Sequence, residues 1–176
     1  MIVLLGCSVV SSSYASGLLQ KLGAVHKKDA QHVKATVHQS LHSGNLSDFA
    51  NDWEGTCVIS GEDPEDIELS IDSQENIITI DGDDYELGVF KTQSSSNEFG
   101  TDFFHIAIDW NENGKQLDAH VNYVWNQNGT ASGFSGTGKT TFELVNGQLI
   151  IKSDSRAFRD MQETSETTTC TLSPAR

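Results

Sequence analysis

The chain has 176 residues, with 11 Lys and Arg against 25 Asp and Glu, a formal net charge of −14. That length suits one domain with a substantial core and leaves no room for a large multidomain enzyme. The acidity argues against nucleic acid as a partner, because phosphate binding needs clustered Lys and Arg. A content of 36% hydrophobic and 8% aromatic residues rules out a disordered tail, and no apolar run approaches the ~20 residues of a membrane-spanning helix.

Residues 1–15 form a short apolar run followed by small residues, the pattern of an export signal's tail. Ser13-Tyr14-Ala15 has the small-x-small form of a cleavage site. Leu4-Leu5-Gly6-Cys7 resembles a bacterial lipobox, which would make Cys7 a lipidation site. The competing reading is a buried N-terminal strand. Export implies a periplasmic, lipid-anchored or secreted protein. Cys57 and Cys170 stand at the two ends of the strand-rich region and form a candidate disulfide in such a compartment.

Residues 16–47 predict one or two helices. Ala30, Val33, Val37 and Leu41 recur at helical spacing, after an apolar stripe of Leu18, Leu19, Leu22 and Val25. The segment carries four Lys against one Asp. His38 and His42, four apart, have a spacing that can share a metal, although a solvated helix face explains them as well.

From residue 48 to 176 short alternating runs are separated by turn residues. Trp53–Ile59 is the first. Ile67, Leu69 and Ile71 alternate with polar residues, Ile77–Ile80 follows a turn, and Tyr85, Leu87 and Val89 follow Asp81-Gly82-Asp83. Residues 93–100 read as a loop. Phe104 to Trp110 and Leu117 to Trp125 alternate around Asn111–Gly114. Phe142–Val145 and Gln148–Ile151 flank Asn146-Gly147, a strong hairpin signal. Thr164–Leu172 is the last strand. Eight or nine strands joined by tight reversals predict an antiparallel meander that folds into a sandwich or closes into a barrel, and the barrel is preferred because closure removes its edges.

The run Phe49-Ala-Asn-Asp-Trp53-Glu-Gly55-Thr56, opening this meander, resembles the start of lipocalin-like (calycin) domains, which carry Trp and Gly on their first strand. The resemblance implies a small barrel with a ligand cavity or a packed interior, and names no ligand.

Three constellations hold potential chemistry. Gly133-Phe-Ser-Gly-Thr-Gly138-Lys139-Thr140 matches the P-loop pattern, but a P-loop must open a helix, and here a hairpin follows with only 36 residues left. The alternative is a strand whose small residues relieve crowding at a bend. Asp109-Trp-Asn-Glu-Asn-Gly114 copies half a calcium loop, yet its twelfth position is His120 rather than Glu, and the same residues make a good turn. Taking Asn111–Gly114 as a four-residue loop pairs Trp110 with Lys115 and sets His105 opposite His120. Asp109 and Asp118 then join that face, with opposed Cβ atoms ~5 Å apart. Such a cluster would hold zinc or line a pocket, or form the wet side of a hairpin. Paired catalytic carboxylates and a nucleophile elbow are not identifiable.

The sequence therefore supports an exported, non-enzymatic barrel holding a small apolar or amphipathic ligand or a protein partner. One alternative is a metal-dependent or acid–base enzyme using His105, His120 and Asp118. The other is a structural envelope protein.

Overall fold

The computed structural model describes residues 31–32, 44–60, 62–96, 98, 100–127, 133–159 and 162–176. Eleven strands run in chain order: β1 (Gln31–His32), β2 (Asn51–Ile59), β3 (Glu65–Gln74), β4 (Ile77–Ile80), β5 (Asp83–Glu86), β6 (Lys91–Ser96), β7 (Gly100–Trp110), β8 (Gln116–Gln127), β9 (Gly133–Val145), β10 (Gln148–Arg159) and β11 (Gln162–Pro174). All pairings are antiparallel, in the order β1-β6-β7-β8-β9-β10-β11-β2-β3-β4-β5. Ten strands, with β1 as a two-residue bridge, nearly close into a barrel compatible with the lipocalin-like architecture. The expected eight or nine fell short because Gln93–Ser96, the first half of the span read as loop, belongs to strand β6. Its Ser and Gln side chains hide a ladder that β7 completes from Gly100 onward.

The helix expected over 16–47 is not seen in the described part of that span. Gln31–His32 bridges β6, and Leu46–Asp48 makes a single 3-10 turn with Asn45 as its cap. Cys7, the export-like segment 1–15, and His38 and His42 lie outside the described residues.

The turns obey local chemistry. Asn146 and Gly147, both at positive φ (53° and 79°), join β9 to β10 in the two-residue hairpin their sequence predicts. Asp81 and Gly82, also at positive φ, join β4 to β5.

Alternation decides the two faces. Inward residues of β8 to β11 stack in rows across the ladder. Leu117, Phe142, Ile151 and Cys170 form one row, and all are 0–1% exposed. At this end Leu46, Phe49 and Trp53 join the core, and Trp53 Nε1 donates to the Phe49 carbonyl at 3.0 Å. The Trp110 ring lies across Gly44, where a Cβ would collide with it, and packs edge-on against Phe49 with centroids 6.0 Å apart. Trp53, the tryptophan of the sequence motif, is thus part of the buried core, at 3% exposure.

In the nearly closed barrel β2 and β11 are neighbours, as closure requires. Cys57 and Cys170 face each other in register, with Cα atoms 4.0 Å apart, and form a disulfide. The ladder is interrupted between β5 and β6. There Gly88 N–H donates to the Ile108 carbonyl at 2.8 Å, and Lys91 Nζ meets Asp83 Oδ1 at 3.2 Å.

Candidate functional site

The anticipated cluster has a different register. Trp110 pairs with Leu117, so His105 lies opposite Asn122, and His120 lies opposite Ala107. The turn explains the shift. Asn111 remains in the ladder, its N–H donating to the Gln116 carbonyl at 2.9 Å, and its side-chain oxygen accepts from Lys115 N–H at 3.1 Å. The loop is therefore Glu112–Lys115, one residue later than expected, with Gly114 at φ 63°. A one-residue slip in the loop moves every cross-strand partner by two positions. His105 and His120 keep a common face as diagonal neighbours, for which Cβ separations run nearer 7–8 Å than 5 Å.

Three of the four candidates have a local partner. His105 Nδ1 lies 3.0 Å from Thr92 Oγ1. Asp118 Oδ2 pairs with Lys139 Nζ at 2.8 Å, and its Oδ1 accepts from Gln116 Nε2 at 3.1 Å. Asp109 Oδ1 accepts the Trp110 N–H at 2.8 Å. Asp109 and Asp118 are directly opposed, a like-charge contact that the Lys139 ion pair relieves. Among the described residues no three His, Cys, Asp or Glu side chains converge as a metal site. The acidic turn between β4 and β5 forms no such site either. Asp81 accepts from Ser70 N–H, Asp83 from Lys91, and Asp84 from the Thr79 hydroxyl, so its carboxylates diverge onto separate donors.

The P-loop-like run lies within β9 and continues as strand. Its glycines have a packing reason. A Cβ on Gly136 would fall 2.3 Å from the Tyr123 ring, which lies over it from β8. Lys139 projects outward to Asp118, away from any phosphate cradle.

Two regions not anticipated from sequence stand out. The first is the inner wall beyond the apolar core cluster. Next to the fully apolar row comes Ala119, Thr140, Ser153 and Thr168, all buried, with Thr140 Oγ1 donating to Ser153 Oγ at 3.0 Å. The following rows hold Val121, Gly138, Ser155 and Glu166, then Tyr123, Gly136, Ala157 and Thr164. Phe104, Tyr123, Phe134 and Trp125 make a continuous aromatic run there, with centroids 5.4–6.3 Å apart. Thr168 Oγ1 and Gln93 Oε1 are buried without a hydrogen-bond partner. The sequence signal was small and hydroxyl residues at every second position of β9 and β10.

The second is a groove of about 580 Å³ across β8 to β11. One wall is His120, Lys139, Asp154 and Thr167, and the other is Asn122, Thr137, Arg156 and Ser165. These side chains are exposed, and the inward residues just beyond the two rows, such as Ala119, Tyr123, Thr140 and Ser153, are absent from its lining. The groove therefore lies on the outer face, between two cross-strand rows.

No family model matches the chain, and neither a curated protein nor a solved structure is significantly similar to it.

Proposed function

We propose that the chain is an exported binding module whose barrel interior takes a small amphipathic ligand. The carrying observation is the layering of the inner wall, from a fully buried apolar row to buried hydroxyls and then to rows with glycine, alanine and polar residues beside an aromatic run. A packed core would fill such rows with branched side chains. A buried hydroxyl or amide oxygen without a partner costs about 1–3 kcal/mol, so Thr168 and Gln93 call for a ligand polar group or an ordered water. The apolar tail of the ligand would lie along the aromatic run and its polar end would reach the hydroxyl row. The Cys57–Cys170 disulfide and the lipobox-like Leu4–Cys7 support action in an oxidising compartment.

Dodecanoate titration, followed by intrinsic Trp fluorescence, tests the reading. Saturable binding that weakens in Thr168→Val supports it. Absence of binding, together with no lipid extractable from protein purified from its own host, would overturn it.

A further inference from the structure

We infer that the outer groove across β8 to β11 is a second site, independent of the interior, that binds a neutral oligosaccharide. Its shape comes from the sheet. It crosses four strands, about 14 Å at the usual inter-strand spacing, and is about 7 Å wide between side-chain rows two residues apart. That slot suits an extended chain of linked rings and is too narrow for a helix, which is about 10 Å across.

The floor is the backbone of Val121, Gly138 and Ser155 in mid-sheet, where the ladder engages the main chain on both sides. A peptide strand added there would find no main-chain groups to pair with, since strand addition requires a sheet edge. Recognition must come from the walls.

The walls offer both donors and acceptors. The Asp154 carboxylate stands between the Lys139 row position and Thr167, and Asn122 and Thr137 face it across the slot. The cations are compensated. Lys139 pairs with Asp118 at 2.8 Å, and Arg156 lies 3.7 Å from Glu163. With no surplus positive charge, and in a chain of net charge −14, the groove is unsuited to a phosphate or a polyanion. Paired carboxylate, amide and hydroxyl groups suit vicinal hydroxyls, which donate and accept together. One row further out, Phe158 and Val124 are exposed on this same face (45% and 40%), an apolar platform for the C–H face of a sugar ring.

The test is an amide-resolved NMR titration of the full chain with cellotriose, maltotriose and chitotriose, each to roughly 20 mM, a range that detects millimolar Kd. We expect one of the three to give saturable shifts confined to the groove strands. Asp154→Ala should weaken that binding about tenfold or more, the usual effect of losing a charged hydrogen-bond partner. Phe158→Ser, at a residue 45% exposed, serves as the second variant and should weaken it as well. Dodecanoate binding in the interior should be unchanged in both variants, which separates this site from the other. No saturable shift with any of the three sugars would overturn the inference. So would shifts indifferent to both substitutions, or a stronger response to inorganic phosphate.

Discussion

Lys91 Nζ reaches Asp83 Oδ1 at 3.2 Å across the seam where β5 and β6 fail to hydrogen-bond, and the same ammonium sits 4.4 Å from the centre of the Tyr85 ring. Both ion-pair side chains are largely buried, at 13% and 14% exposure. One side chain thus bridges the gap that the ladder leaves, by charge and by contact with an aromatic face. Lys91 is also the single cation among the 17 acidic residues of 48–109, so the attraction it supplies has no local substitute.

Replacing Lys91 with Met should therefore loosen the seam specifically. We expect a loss of about 2 kcal/mol, as for a charged hydrogen bond whose partner stays partly buried. Urea unfolding measures the loss. Hydrogen exchange should accelerate most at Asp83–Glu86, and uniform acceleration across all strands would contradict a local role.

Tyr85 predicts an alkaline response. Burial pushes its phenol well above the ordinary value of 10, and the carboxylates of Asp83 and Asp81 add to the shift. The folded chain therefore holds the phenolic proton after the unfolded chain has released it. The associated stability is complete below pH 10 and declines as pH rises beyond it. Tyr85→Phe should flatten the decline in unfolding midpoint above pH 10. An identical decline in both proteins would show that Tyr85 stays neutral for no energetic gain.

Reduction of the Cys57–Cys170 disulfide opens a loop spanning 113 positions. Chain-entropy arguments put such a cross-link at about 2–5 kcal/mol. Cys57→Ala with Cys170→Ala should lower the urea midpoint accordingly, and dithiothreitol should do the same to the wild type while leaving the double variant unmoved.

Gly55 is required by close approach. A Cβ there would lie 2.2 Å from the Thr171 carbonyl oxygen and 2.9 Å from the Leu172 Cα, both backbone atoms of the neighbouring strand. Gly55→Ala should cost about 1–3 kcal/mol, since the ladder itself must shift. Gly82→Ala makes an instructive contrast. It meets no atom within 4 Å, and its cost would come from its φ of 87° alone.

The β domain's character was legible because its signals are local. Period-two alternation marks β3, β7 and β8, and Asn146-Gly147 marks its hairpin by backbone freedom. β6 was missed because its Lys, Thr, Gln and Ser residues carry almost no apolar alternation. The histidine pairing was misplaced because register depends on how Asn111 divides its hydrogen bonds between ladder and loop, and composition does not report that.

By itself the sequence determined the antiparallel β character, hairpin turns such as Asn146-Gly147, the cysteines at the two ends of the strand region and the uneven charge, since each depends on neighbours in the chain. Only the tertiary structure decided which residues share a row. It put His105 beside Asn122, set Gly136 beneath Tyr123, and brought Lys139, Asp154 and Arg156 from two strands to one groove. Ladder register and barrel closure are collective properties of many paired strands, so the contents of any one row follow from all of them together.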